Sequence, residues 1–248
     1  MTSLLIATRN DHKVQEIRAV LGDGFRYCTL ANVPGAPSVV EDADTFAGNA
    51  TKKAVQLAAW LATHPEAWPP TSPENPAGLA DARFVLADDS GLEVDALDGA
   101  PGIHSARFAA LDTGQPGNAP DIANNAKLLR LLQHVTPQKR TARFRCVLAL
   151  TPVPQAPAGS GPLALDSELR SHTELYLGTC AGRIGFEACG QAGFGYDPLF
   201  IPRDSPRTFA ELGEEEKNRI SHRARALEKL RRALGQKSAR AATMSCPI

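Results

Sequence analysis

The sequence predicts an α/β fold, a mixed and twisted sheet with flanking helices, and three stretches carry that prediction. Near the N-terminus a short apolar run, Leu4-Leu5-Ile6-Ala7, breaks at Thr8-Arg9-Asn10-Asp11, and Val14, Ile17, Val20 and Leu21 then recur at helical spacing. In the middle, Phe84-Val85-Leu86-Ala87 reads as a buried strand that ends in two carboxylates, Asp88 and Asp89. Later, Phe144, Cys146, Leu148 and Leu150 sit on one side of an alternation with Arg143 and Arg145, the pattern of a half-buried strand.

The remaining elements follow in chain order. Gly22 and Gly24 stop the first helix, residues 25–30 form a strand, and a proline-bearing loop leads to Glu41. Asp44 or Thr45 caps the next helix, whose Ala47, Ala50, Ala54, Leu57, Ala58 and Leu61 share one face; so many alanines imply close packing against a neighbour. Prolines 65, 69, 70, 73 and 76 predict a surface loop over 64–82. Ser90-Gly91 is expected to break the central strand before a second run, Leu92-Glu93-Val94, and Pro101-Gly102 suits the two middle positions of a type II turn. Pro120-Asp121 opens a helix with Ile122, Ala126, Leu129 and Leu132 on one face. Residues 152–171 read as a second surface loop, 173–183 as a strand, and Leu199-Phe200-Ile201 as a short strand ended by Pro202. From Thr208 the chain is helical, with a restart near Ser221. A single domain is expected over 1–235, and 236–248 as a disordered tail.

Composition narrows the class. Lysine plus arginine equals aspartate plus glutamate at 27 each, so the overall field draws in neither nucleic acid nor an anionic membrane. No apolar run reaches the roughly 18 residues that a membrane span needs, and the N-terminus is too short and too soon interrupted for a signal peptide. Five scattered cysteines without C-x-x-C spacing argue against a disulfide framework and a zinc site, which fits a reduced cytoplasm.

Several segments carry chemistry. Asp88 and Asp89 end a buried strand, where open α/β sheets keep their ligands, although Asp-Asp-Ser-Gly serves equally as an Asx-type turn. Residues 8–13 lead into a helix whose N-terminus can hold an anion, with Lys13 in the first turn; alternatively Thr8 or Asn10 only caps the helix. Glu41 precedes a helix, as capping acids do. The glycine-rich stretch at 190–198 carries Phe194, Tyr196 and Asp197, and either stacks a base or forms a tight turn with buried rings. Lys217, His222 and Arg223 gather near Ser221. Two like charges about 4 Å apart cost about 4 kcal/mol at an effective dielectric of about 20, so acids beside a triphosphate call for a divalent cation. Oxygen-only ligands favour Mg²⁺. With no serine or cysteine nucleophile motif, metal-assisted attack of water on a phosphoanhydride is the economical chemistry.

The chain resembles the inosine triphosphate pyrophosphatase family. The resemblance rests on Ala7 through Lys13, on Glu41 and Thr45 through Ala50 with Lys53-Ala54, and on Ala87 through Leu97 with Gly99 through Gly102. It continues in Gly193-Phe194-Gly195-Tyr196-Asp197-Pro198 and in Glu216-Lys217-Asn218 with Ile220 through Arg223. It implies an elongated sheet forming two lobes around a central nucleotide-binding cleft, a homodimer, and Mg²⁺-dependent hydrolysis of ITP, dITP and XTP to monophosphate and pyrophosphate. By the same resemblance Asp89 is the catalytic acid and a metal ligand, Glu41 the other metal ligand, and Asp88 their support. Thr8, Arg9, Asn10, Asp11, His12 and Lys13 would bind the triphosphate, and Ser90 would be a further substrate contact. Phe194, Gly195, Tyr196, Asp197, Lys217, His222 and Arg223 would form the purine pocket. Arg9 stands where that family usually has glycine. Two other readings compete: a pyrophosphatase preferring another modified nucleotide, and a nucleotide-binding sensor with little turnover.

Overall fold

In the computed structural model, which describes residues 2–68, 83–114, 116–154 and 162–244, six strands form one open sheet. From edge to edge they are β2 (Phe25–Thr29), β1 (Thr2–Ile6), β3 (Arg83–Val94), β4 (Thr141–Pro152), β5 (Glu174–Ile184) and β6 (Phe200–Pro202). Strand β1 runs parallel to both β2 and β3, whereas β5 and β6 are antiparallel, so the sheet is mixed as expected. The chain divides into two compact units, Met1–Asp89 with Val147–Leu175, and Ser90–Cys146 with Tyr176–Ile248. Strands β3 and β4 each begin in one unit and continue into the other.

The first unit grows from the β1–loop–helix opening. Helix α1 (Asp11–Leu21) is capped by Asn10, whose side-chain oxygen accepts from the Lys13 N–H at 3.1 Å, and it buries Val14, Ile17 and Leu21. Helix α2 (Phe46–Thr63) is capped by Thr45 through the Gly48 N–H, which decides between the two expected caps. Its alanines 50, 54, 58 and 59 are buried, and it packs on α4 (Pro162–Ser171). That helix corrects the expected surface loop over 152–171: Leu165 and Leu169 recur at helical spacing and bury their side chains, a short pattern that flanking glycines and prolines disguise. The other expected loop lies outside the described residues over 69–82; Trp68 at its start is buried, with the Arg83 guanidinium 5.2 Å from its ring centre.

In the second unit a core of Leu92, Val94, Phe108, Leu128, Phe144, Leu199, Phe200 and Phe209 forms from β3 to β6, α3 (Asp121–Leu131) and α5 (Phe209–Ile220). Thr208 and Glu211 form a capping box at the start of α5. After Ser221 the chain restarts as α6 (His222–Met244), so the expected tail is helical over 236–244. Gly178 on β5 lets α6 approach, because any side chain there would strike the His222 carbonyl. Arg140, 2% exposed, donates to the carbonyls of Leu132, Ile184 and Gly185, tying the end of α3 to the end of β5.

Three local expectations fail for identifiable reasons. Ser90-Gly91 does not interrupt β3, which stays extended across Asp88-Asp89-Ser90-Gly91; the Leu92 N–H donates to Ser105 Oγ at 2.9 Å, supplying a partner where a break was expected. Pro101 and Gly102 do not form a type II turn: Pro101 has ψ −20°, where the first middle position of that turn needs about +120°, and Gly102 opens a short 3₁₀ segment to Arg107. On α3 the expected apolar face is only partly covered: Leu132 is buried and Leu129 packs on the core, but Ile122 is 80% exposed while Asn124 and Leu128 are buried. The Asn124 amide explains the rotation, because it accepts from the Ala109 N–H and donates to the carbonyls of Ala106 and Ala119, fastening the preceding loop.

Candidate active site

In the first unit the chain gathers three acids and two lysines. Asp88 and Asp89 are successive residues on β3, so their side chains leave opposite faces of the strand. Asp88 is buried, and its carboxylate accepts from Lys13 Nζ at 2.5 Å. The first turn of α1 therefore aims Lys13 at the strand, so the lysine is not merely solvated. Glu41 lies in the loop before α2, and that loop is held by Asn49, which accepts from the Ala43 N–H at 2.9 Å. Lys53, one helical turn beyond Asn49, draws the cluster together: its Nζ donates to Glu41 Oε2 at 3.0 Å and to the Asp88 carbonyl at 2.8 Å, and lies 3.7 Å from Asp89 Oδ1.

Asp89 is the unusual group. It is 7% exposed, and its Oδ2 has no hydrogen-bond partner among the described residues. Burial pushes its pKa up to about 6; Lys53 and then Lys13 pull it down, while Glu41 and Asp88 push it up. A carboxylate oxygen that is buried and unpartnered is costly unless something else completes it. Together with Glu41, whose side chain is 40% exposed, it offers the hard oxygen donors that suit a divalent cation. Among the described residues no three His, Cys, Asp or Glu groups converge to hold an ion unaided. Mg²⁺ is commonly held by one or two carboxylates with phosphates and water completing the shell, and this donor set fits that mode. Asp88 has its Lys13 partner and acts on the lysine.

The rest of the first segment splits. The Thr8 hydroxyl accepts from the Asn10 N–H, and Asn10 spends its side-chain oxygen on the cap. Arg9, Asp11 and His12 are exposed. Thr8, Arg9 and Asp11 line a cavity of about 360 Å³ together with residues 29–31 and 33–36.

The second unit holds the glycine-rich loop. Asp197 is its hub: Oδ2 accepts from the Phe194 N–H at 2.9 Å and from Lys217 Nζ at 2.5 Å, with Asp197 and Lys217 each 2% exposed. Gly193 is required here, since φ is +79° and any side chain would strike the Asp197 carboxylate. The two aromatics part company. Tyr196 is a core residue whose hydroxyl donates to the Ser105 carbonyl, and burial pushes its pKa upward. Phe194 is partly exposed, with Lys217 Nζ 4.4 Å and Arg223 Cζ 5.8 Å from its ring centre. Arg223, 1% exposed, also donates to Ser90 Oγ at 3.3 Å, so Ser90 belongs with this group. His222 is buried and stacked on Phe144, with ring centres 4.6 Å apart and planes 10° from parallel.

Sequence reasoning missed Lys53 as a site residue. The signal was there: a lysine one turn from Asn49, on the face of α2 where neighbouring positions are alanine. A charge on such a face must find buried partners.

A family model described as the Ham1 family matches residues 4–233, nearly the whole chain and both units. The chain belongs to the Ham1 family. Its relatives include a dITP/XTP pyrophosphatase from Desulforamulus reducens, 44% identical over 91% of this chain and 92% of that protein. Another, from Geobacter sulfurreducens, is 42% identical over 95% and 98% of the two chains. Among solved structures, a HAM1 protein from Coxiella burnetii superposes with a TM-score of 0.70 at 32% identity, covering 95% of this chain and all of that one. A nucleoside-triphosphatase, or dITP/XTP pyrophosphatase, from Mycobacterium abscessus gives 0.62 at 33% identity, covering 92% and 98%. The likeness to Ham1 structures accords with the mixed α/β sheet.

Proposed function

We propose that this Ham1-family chain hydrolyses the triphosphates of deaminated purines, dITP, ITP and XTP, to the monophosphate and pyrophosphate. The relatives named dITP/XTP pyrophosphatase match more than nine-tenths of the chain, and this supports the substrate class. The observation that carries the chemistry is the buried, unpartnered Asp89 oxygen beside Lys53 and Glu41.

Asp89 is ionised above about pH 6 and serves as the base. It takes a proton from the water that attacks the α-phosphorus, as the bond from that phosphorus to the bridging oxygen breaks and pyrophosphate departs. Lys13 and the N-terminal turn of α1 favour the negative charge that develops on the leaving group, and Asp88 holds Lys13 in place. Glu41 and Asp89 would hold Mg²⁺, which when bound supplies positive charge against the phosphates and polarises water. Lys53 balances Glu41 and Asp89 in the nucleotide-free protein.

Phe194 offers a face for the purine, while Lys217 and Arg223 near its ring carry only hydrogen-bond donors. Donors pair with a 6-oxo group and not with a 6-amino group, and a site built to pair with one group can reject its mismatch by ~10⁴-fold. By likeness to the inosine triphosphate pyrophosphatases, the enzyme is further read as a cytoplasmic homodimer. Among the described residues no helix is long and apolar enough to cross a membrane.

The test is to incubate the protein and Mg²⁺ with dITP, ITP, XTP, GTP, ATP and dTTP, and to measure pyrophosphate, orthophosphate and monophosphate. Pyrophosphate from the first three, with little from ATP, is expected. Orthophosphate would mean attack at the γ-phosphorus and overturn the mechanism. Tight dITP binding without turnover would make the protein a sensor.

A further inference from the structure

The loop that carries Phe194 is gripped from outside by a helix to which no role has been given. Asp121, in the first turn of α3, accepts from the Gly195 N–H through Oδ2 at 2.6 Å. Asn125, one turn later, donates through Nδ2 to the Gly195 carbonyl at 3.0 Å. Side chains at i and i+4 lie on one helix face, so the two form a matched acceptor and donor that hold both peptide groups of a single glycine. From inside the loop Asp197 holds the peptide on the other side of Phe194 through its N–H. The backbone on either side of the ring is thus fixed by three side chains, and the ring itself bears no hydrogen-bonding group that could fix it.

Asn125 is a poor choice for packing alone. Its Oδ1 is buried and has no partner among the described residues, a cost that leucine at the same place would avoid. The neighbouring Asn124, by contrast, uses both ends of its amide on the loop before α3. Two adjacent asparagines thus perform separate tasks, one fastening structure and one gripping the aromatic loop.

We propose that Asp121 and Asn125 are positioning residues for purine recognition, setting the Phe194 ring through Gly195 without touching the nucleotide. The inference rests on the activity proposed above. A correctly set ring stabilises the base equally before and during phosphoryl transfer, so loosening it raises KM and leaves kcat unchanged. The triphosphate end does not depend on it.

The experiment compares wild type with Asp121→Ala, Asp121→Asn and Asn125→Leu, measuring kcat and KM for dITP and XTP, Ki for inorganic pyrophosphate, and Tm. Asp121→Ala and Asn125→Leu are expected to raise KM by about 5- to 10-fold, the worth of one lost hydrogen bond, with kcat and the pyrophosphate Ki within about twofold. Asp121→Asn keeps an acceptor oxygen and is expected to restore most of the affinity. Unchanged KM in both disruptive variants overturns the inference. So does a parallel loss of pyrophosphate affinity and Tm, which would mark a general structural role. A wild type inert toward dITP and XTP sinks the activity itself, and with it this role, before any variant is compared.

Discussion

The two units handle buried charge in opposite ways. In the first, Lys13 and Lys53 keep side-chain exposures of 17% and 11%, Glu41 is 40% exposed, and Lys53 divides itself among three oxygens at 2.8–3.7 Å. In the second, Lys217 and Asp197 are sealed at 3% and 2%, joined at 2.5 Å. Loosely shared, partly wet charges can change partners when a phosphate or a cation arrives. A sealed pair has no such freedom, and it serves as a fixed post against which a loop and an aromatic ring are set. Polyphosphate chemistry needs the first arrangement, and recognition of a flat base needs the second.

The sharpest break in that comparison is Asp89→Asn. The amide cannot take a proton from water, so turnover is expected to fall by ~10³-fold or more while dITP binding survives; unchanged turnover would remove Asp89 from its role. Lys217→Met should show the cost of opening a sealed pair. It leaves Asp197 buried with the Phe194 N–H in place of a full counter-charge, and a loss of about 3–5 kcal/mol in denaturant unfolding is expected. Lys53→Met should behave in the opposite manner. Glu41 remains wet and Asp89 can take up a proton, so stability should fall by only about 1 kcal/mol while kcat/KM falls at least ~10²-fold. If both methionine variants lose stability equally, the contrast between the units is wrong.

A smaller effect tests the same contrast through pH. The pKa of Asp89 in the folded, metal-free protein is raised to about 6 from an ordinary value near 4. The folded state therefore holds this proton more tightly than the unfolded chain. That contribution is fully present below about pH 4 and is lost as pH rises through about 6. At pH 7.5 without metal, Asp89→Asn should accordingly be more stable than wild type, by about 3 kcal/mol, or roughly 6–12 °C in Tm. The advantage should disappear by pH 4, and an equal difference at both pH values would contradict the assigned shift. The smallest expected change is Ile122→Ser, within about 0.5 kcal/mol, because this side chain stands in water.

Ile122 also shows how far the sequence could be read. Apolar spacing grouped it with Leu129 and Leu132 on one face of α3, but Asn124 turned the helix because its amide satisfies three backbone groups, a demand that hydrophobic periodicity does not register. Periodicity did locate α1, α2 and the restart at Ser221, since each is built on local spacing and a cap. It did not reveal α4, whose pattern is short and lies beside glycine and proline. The acids of β3 were recognisable as a motif, but not that the strand runs on through them, since the partner for Leu92 comes from Ser105, thirteen residues away. Phe194 and Tyr196 looked alike in sequence, and only packing separates the partly exposed ring from the core one. Lys53 and the Gly195 grip escaped for the same reason: both depend on partners brought together by folding.

The ion pair between Lys13 and Asp88, with Lys53 reaching over Glu41 and Asp89, means that the resting protein carries its own counter-ions. In the proposed site an arriving nucleotide would enter by swapping places in an existing lattice of charge, not by filling a bare electropositive hole. Such an exchange releases few ions from solution, so affinity should depend only weakly on salt. The enzyme would then work alike in dilute and concentrated electrolyte.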